Sequence, residues 1–247
     1  MGKRSGEPAA GNGSGHPGRV GKFWSAHVGP ILYDPFLSLG EIRGMSGLRR
    51  EIVGRASGRV LELGAGTGLN LRHYRADLDE LVLTEPEPGM LERLERRRAR
   101  VTPANSRVLG TPAEQLPVAD GTFDAVVATL VFCTVANPAA ALLEARRVLR
   151  DGGKLLFIEH VRAPAGSKLE RFQERLHKPW RAFASGCRCD QDTMSLIEHA
   201  GFARVDDRPE RWRGMPRIVQ PLIYGEARPI SRAAEQAARE GSPPVSS

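Results

Sequence analysis

A glycine-rich turn directly behind an apolar run is the feature that most constrains how this chain can fold. Residues 59–63 are mostly apolar, and Gly-Ala-Gly-Thr-Gly occupies positions 64–68. This order predicts a buried strand, a tight turn and a helix that begins near Leu69. Glycines at alternate positions permit a positive φ and carry no Cβ, so a ligand can lie directly against the backbone there.

An acidic residue follows the next apolar run. Residues 80–84 predict a second buried strand, and Glu85 comes directly after it. A carboxylate at the tip of a neighbouring parallel strand can accept hydrogen bonds from both hydroxyls of a ribose. A dinucleotide-binding fingerprint would need a glycine at its sixth position, where this chain has Leu69. The pattern therefore favours a ribose-containing ligand other than a dinucleotide.

The sequence Leu-Glu-Leu-Gly-Ala-Gly-Thr-Gly at 61–68 resembles the first motif of class I S-adenosylmethionine-dependent methyltransferases. The resemblance implies a Rossmann-like, doubly wound α/β fold whose seven-stranded sheet has its last strand antiparallel, with N-terminal cap helices. It implies that Glu62 orients the methionine part of S-adenosyl-L-methionine and that Glu85 holds the ribose. The cofactor-binding positions expected on this basis are Glu62, Gly64, Ala65, Gly66, Gly68, Glu85, Pro86, Ala113, Glu114, Thr129 and Leu130.

Composition limits the domain count and the class of partner. With 247 residues, 40% of them hydrophobic, the chain can bury one substantial core. The net charge of +7 is shared between both ends and the long central part, which argues against a nucleic-acid partner. No apolar run reaches the roughly 18 residues of a spanning helix, and residues 1–20 lack the apolar middle of a signal peptide. We therefore expect a cytoplasmic protein without an integral membrane segment, for which peripheral membrane contact stays open.

The cysteines do not suggest a disulfide framework or a metal site. Cys133, Cys187 and Cys189 are few and odd in number. A Cys-x-Cys pair without a second pair is a poor metal signature. The sequence therefore predicts no bound metal, and it leaves the oligomeric state open.

The expected domain spans residues 23–227, between disordered tails at 1–22 and 228–247 that are poor in apolar residues. Cap helices are expected at 23–56, where Ile42, Met45, Leu48, Ile52 and Val53 follow a helical period. An insertion at 163–190 interrupts the alternation of strands and helices. Further strands are expected at 106–110, 124–129 with a continuation to 135, 154–160, 202–205 and 217–225, and helices at 89–100, 138–149, 168–180 and 193–199.

The loop at 111–117 is the predicted adenine contact. In the related methyltransferases an Asp often stands immediately before the Ala of this loop, and here that place is Pro112. The resemblance therefore leaves the Ala113 backbone N–H and the Glu114 carboxylate as the expected adenine contacts.

Polar residues close the predicted fifth strand. Glu159 and His160 are the candidate catalytic residues, because a His has a pKa suited to proton removal near neutral pH. The alternative is that His160 is a structural residue of the strand end. Residues 129–132 should form the floor of the site, since strand ends on one edge of an open sheet form the ligand crevice.

Three aromatic residues are candidates for substrate contact: Tyr33, Phe132 and Trp180. Tyr33 and Asp34 resemble a pair near the start of quinone-type and lipid-type methyltransferases. Each aromatic residue can equally be part of the core.

The resemblance is closer to one group of methyltransferases, those that methylate small alkyl thiols. It rests on residues 159–161, Trp180, residues 186–187 and residues 221–225. It implies a small-molecule acceptor with a thiol as the first candidate. Those relatives often carry an N-terminal membrane anchor, and we expect none in this sequence. A quinone or phospholipid methyltransferase and a non-catalytic cofactor-binding protein are the alternatives. A nicotinamide-dependent reductase is disfavoured by Leu69 and by the lack of a Tyr-x-x-x-Lys pair.

Overall fold

The computed structural model describes residues 38–101, 105–184 and 186–230. Its strands are β1 (Arg59–Leu63), β2 (Glu80–Thr84), β3 (Ser106–Leu109), β4 (Phe123–Thr129), β5 (Leu149–His160), β6 (Phe202–Arg211) and β7 (Pro221–Pro229). They form one sheet in the order β3-β2-β1-β4-β5-β7-β6. Strands β1 to β5 are parallel, whereas β7 pairs antiparallel with both β5 and β6. The predicted α/β sheet with an antiparallel last strand is confirmed.

In the described ranges, these α-helices connect and flank the strands: α1 (Ser46–Val53), α2 (Pro88–Val101), α3 (Pro138–Val148), α4 (Lys168–Phe183) and α5 (Thr193–His199). Three of these helices begin at side-chain caps. Asn137 accepts a hydrogen bond from the Ala140 N–H at 3.1 Å, and Ser167 and Asp192 cap α4 and α5 in the same way. Such caps satisfy N–H groups that the first helical turn leaves free.

The core lies on both faces of the sheet. Neighbouring strand residues point to opposite faces, so Val60 packs on one side with Ile52 of α1, and Leu61 packs on the other with Leu142 of α3. Strand β1 is buried after Arg59, and β4 is buried except at Asp124, which explains the nearly continuous apolar sequences of the central strands.

The segment in front of β1 is helical, but it is less regular than predicted. Arg43 and Gly44 have non-helical backbone angles, with φ 140° at Gly44. This break turns Ile42 outward, where it is 82% exposed, whereas Met45, Ile52 and Val53 are fully buried. Ile42 is therefore not part of the expected apolar face. Residues 1–37, including Tyr33, the N-terminal tail and the first part of the expected cap, lie outside the described residues, as do 231–247.

Several expected boundaries are corrected. Only a short 3-10 helix, Leu71–His73, follows the glycine turn, because Gly66 and Gly68 keep φ 57° and 83° and the chain must soon return to β2. Strand β4 ends at Thr129, since Leu130 has φ 60° and turns the chain. The last strand begins at Pro221 after a 3-10 turn and continues to Pro229, beyond the expected domain end at 227. Within the described part of the chain, no helix combines the length and the apolar character needed to cross a membrane.

Candidate functional site

The carboxyl ends of the parallel strands gather most of the predicted site residues at one edge of the sheet. Glu62 lies near the end of β1, Glu85 directly follows β2 and Thr129 ends β4. Glu159 and His160 end β5. Ligands of open α/β sheets bind in the crevice at this edge.

The glycines of the turn have different structural roles. Gly64, Gly66 and Gly68 all adopt a positive φ, at 54°, 57° and 83°. A Cβ on Gly68 would lie 2.7 Å from Leu71, so this glycine permits close packing. A Cβ on Gly66 would meet nothing within 4 Å, so the backbone there borders open space. Gly66 is the point of the turn against which a ligand can lie.

Glu85 closes this turn from the neighbouring strand. Its Oε2 accepts a hydrogen bond from the Gly66 N–H at 2.9 Å, and its Oε1 accepts one from the Glu87 N–H at 3.0 Å. Burial raises the pKa of Glu85, and these two hydrogen bonds act in the opposite direction. Pro86 lies exposed beside it. The predicted neighbourhood of Glu85 and the glycine turn is thus present.

Glu62 is buried beneath the turn, and protein groups satisfy both of its oxygens. Oε1 accepts a hydrogen bond from Asn70 Nδ2 at 2.8 Å, and Oε2 accepts one from the Tyr74 hydroxyl at 2.7 Å. Burial raises the pKa of Glu62 to about 7, although both hydrogen bonds favour the charged form. A side chain held in this way orders the floor of the site.

Arg49 of α1 connects this floor to the other strands. Its Nη1 donates to Asn70 Oδ1 at 2.8 Å and to Thr129 Oγ1 at 3.0 Å, and its Nε donates to Glu41 at 3.0 Å. Sequence reasoning missed this residue. A signal existed, because Arg49 is four residues after Met45 and three before Ile52 and therefore shares their buried helix face.

The adenine-side residues lie on the loop before β4. Ala113 is buried, as a backbone contact would allow. The Glu114 carboxylate, however, accepts a hydrogen bond from the Asn137 N–H at 3.0 Å. The Glu114 carboxylate thus holds the residue that caps α3, a contact that the sequence did not predict. Leu130 follows Thr129 with its N–H bonded to the Ile158 carbonyl at 2.8 Å.

Glu159 and His160 point to different surroundings and do not form an acid–base pair. Oε1 of Glu159 accepts hydrogen bonds from the N–H groups of Val131 and Phe132, at 2.7 and 3.0 Å. Burial raises the pKa of Glu159 to about 7. The His160 ring stacks on Trp212, with ring centroids 5.4 Å apart, and burial lowers its pKa to about 4. Glu159 therefore shapes the turn after β4, and His160 is a neutral imidazole.

The predicted substrate residues do not come together. Phe132 is fully buried in the core on one face of the sheet, whereas Trp180 packs against the core of the other face. Trp180 lines an apolar groove of about 450 Å³, formed by α4 and the turn before β7. Phe172, Leu176, Phe183 and Ile218 are further members of its wall. The side chain of Phe132 has no part in this groove.

The fold and the edge of the sheet define the class of protein. A Rossmann-like sheet carries a glycine turn with open space above Gly66, and the Glu85 carboxylate lies beside that space. This is the arrangement of a protein that binds a nucleoside-containing cofactor. The residues present fit such a cofactor, since a ribose needs the acceptor that Glu85 provides.

Comparison with known proteins identifies the family. A family model described as a methyltransferase domain matches residues 61–157. The thiol S-methyltransferase TMT1B of Homo sapiens is 35% identical over 193 residues, which cover 76% of this chain and 75% of that protein. A demethylmenaquinone methyltransferase of Renibacterium salmoninarum is 33% identical over 150 residues, covering 60% of this chain and 61% of that protein. The chain belongs to the S-adenosylmethionine-dependent methyltransferases, and its cofactor is S-adenosylmethionine.

A solved structure agrees at the level of the fold. The SAM-dependent methyltransferase of Thermotoga maritima superposes with a TM-score of 0.61 at 22% identity, covering 82% of this chain and 98% of that one. The resemblance to the methyltransferase family that residues 61–68 predicted is thus confirmed.

Proposed function

We propose that this enzyme transfers the methyl group of S-adenosylmethionine to the thiol of a small, largely apolar molecule. The observation that supports this most strongly is the 35% identity to a thiol S-methyltransferase over three quarters of both chains. The groove beside Trp180 is lined mainly by apolar side chains and can take an apolar acceptor body. The three cysteines of this chain are free, which suits a reducing compartment, and we place the enzyme in the cytoplasm.

The chain's own residues then act by positioning. We assign the ribose hydroxyls to Glu85, the methionine part to the backbone of Gly64 and Gly66 above Glu62, and the adenine to the Ala113 N–H. Thr129 and Leu130 border the same space. The cofactor supplies a methyl group on a positively charged sulfur, and the protein's task is to hold an acceptor in line with it. Correct orientation of two reactants can supply much of a rate enhancement.

Replacing Glu85 by Ala tests the cofactor assignment. The variant loses a charge-assisted contact to the ribose and the hydrogen bond that orders Gly66. S-adenosylhomocysteine should therefore bind about ten- to a hundredfold more weakly, equivalent to roughly 1.5–3 kcal/mol. Isothermal titration calorimetry measures the change, and Glu80→Ala at the other end of β2 should bind normally. Unchanged affinity in folded Glu85→Ala protein would refute the assignment.

A direct assay tests the acceptor class. The purified enzyme is incubated with methyl-labelled cofactor and, in separate reactions, an alkyl thiol, a phenol, a quinol and phosphatidylethanolamine. We expect label in the thioether, strongly reduced label with Glu85→Ala, and none with boiled enzyme.

The similarity to a demethylmenaquinone methyltransferase favours a second candidate, a quinol acceptor. Label in the quinol or the lipid with none in the thiol would overturn the thiol proposal. Cofactor binding with no transfer to any acceptor would instead support a non-catalytic binding protein.

A further inference from the structure

Three potential metal ligands meet beside the apolar groove. Sγ of Cys133, a ring nitrogen of His160 and Sγ of Cys187 all lie within 4.8 Å of one another. They come from the turn after β4, the end of β5 and the loop after α4. All three residues are buried, and both cysteines are free thiols. Folding thus concentrates two sulfurs and one imidazole in one enclosed place.

His160 presents an unused ligand atom to its surroundings. His160 is only 5% exposed, and its Nδ1 has no hydrogen-bond partner among the described residues. A buried polar atom without a partner normally costs free energy. A cation bound through Nδ1 would satisfy this atom, and neutral imidazole nitrogen is a common metal ligand.

The surrounding residues fix the geometry of the cluster. Trp212 stacks on the His160 ring and restricts its rotation. The backbone N–H of Arg188 donates to the Cys133 carbonyl at 2.8 Å, which ties the loop of Cys187 to the turn of Cys133. Metal sites commonly depend on such outer contacts to orient their ligands.

We propose that Cys133, His160 and Cys187 hold a soft divalent cation, with zinc as the first choice. Zinc favours sulfur and imidazole ligands, and sites with three protein ligands leave a fourth tetrahedral position open. Two cysteine thiolates balance the charge of the cation, so the site carries no net charge in its buried surroundings until an acceptor thiolate binds. Binding of the cation releases the two thiol protons to solvent.

The fourth, open position on the cation can bind the acceptor thiol. This role of the cation rests on the proposed function, in which the acceptor is a thiol. Trp180 lines the groove and its indole also approaches the Cys187 sulfur, so the cluster lies beside the space proposed for the acceptor. There an acceptor thiol binds the cation as a thiolate and gives its proton to solvent. The thiolate sulfur then bonds to the methyl carbon as the carbon–sulfur bond of the sulfonium breaks, and that bond's electron pair stays on the departing thioether sulfur.

Zinc content provides the first test, and it requires no acceptor. The full-length protein is incubated with Zn²⁺, dialysed and analysed by plasma mass spectrometry. We expect about one zinc per chain, falling to near zero in Cys133→Ser and Cys187→Ser. Cys189→Ser is the matched control, because Cys189 is a fully buried cysteine two positions from Cys187 but outside the cluster. It should retain the zinc.

Cobalt gives a second measurement on the unaltered protein, so the test does not depend on whether the variants fold. Co²⁺ at this site should produce thiolate-to-cobalt charge-transfer absorption in the near ultraviolet and tetrahedral bands in the visible. An acceptor thiol should change the visible bands. Absence of both zinc and the cobalt bands in folded protein that methylates thiols would overturn the cation site and leave the proposed function standing. Bound zinc in protein that methylates no thiol would retain the site and overturn its role with the acceptor.

Discussion

Replacing Arg49 by methionine should lower the free energy of unfolding by about 3–5 kcal/mol, because it leaves a buried carboxylate without its partner. Arg49 and Glu41 have side chains only 4% and 9% exposed, and the ion pair between them measures 3.0 Å. The substitution also removes the donor to Asn70 and Thr129. Denaturant unfolding of the wild type and the variant measures the difference.

Arg55 provides the matched control for this prediction. It also forms ion pairs, with Glu51 and Asp206, but its side chain is partly exposed. Arg55→Met should therefore cost only about 0–1 kcal/mol. Adding Glu41→Gln to Arg49→Met should recover part of the loss, since the unpaired charge is then gone. Equal effects of the two arginine substitutions would show that burial does not control the strength of these pairs.

Replacing Glu62 by glutamine should stabilise the protein at alkaline pH and weaken cofactor binding. Burial raises the pKa of Glu62 from 4.5 to about 7, so the folded state holds a proton that the unfolded state has already lost. The resulting stabilisation is complete below the unfolded pKa of about 4.5 and is lost as the pH rises through about 7. At higher pH the wild type keeps a buried charge that the variant lacks, a difference of roughly 3 kcal/mol.

Unfolding measured near pH 5 and near pH 8 shows whether this pH dependence exists. The advantage of Glu62→Gln should grow between the two. Glu80→Gln should have a disadvantage instead, since hydrogen bonding and charge from Arg107 and Arg59 lower the pKa of the half-buried Glu80. A difference between Glu62→Gln and wild type that stays constant with pH would contradict the prediction.

The meeting of the glycine turn with Glu85 could be predicted from sequence because its determinants are local. The glycine turn follows its strand without a spacer, and Glu85 directly follows the next strand. Parallel pairing of β1 and β2 then brings Gly66 and Glu85 within hydrogen-bond distance. Spacing along the chain and the edge of one sheet were sufficient to identify this pair.

The remaining contacts join residues that are far apart in the sequence, and no local pattern indicates that they meet. Arg49 meets Thr129, and Cys133 meets Cys187, only because the sheet brings their strands and loops together. The cysteine spacing alone argued against a metal site, since the imidazole that completes the cluster belongs to β5. Periodicity predicts which face of an element is buried, but not which distant residue it meets there.

Phe132 shows that a shift of one residue in a turn changes the face of the sheet on which a side chain is predicted to lie. Phe132 and Cys133 are neighbours in the turn after β4, yet they belong to the cores of opposite sheet faces. From the sequence, Phe132 was a candidate for substrate contact, with the core as the alternative. The positive φ of Leu130, which begins this turn, could not be read from a leucine.

The antiparallel direction of β7 brings a late part of the sequence to the same edge of the sheet as the ends of the parallel strands. Because β7 begins at the edge where β5 ends, the segment between β6 and β7 arrives beside the cofactor crevice with Trp212 and Ile218. The methyltransferase family model ends at residue 157, before the whole of this segment and before α4. The groove, whose lining residues lie between 172 and 218, therefore belongs to the part of the chain that follows the region matched by this family model.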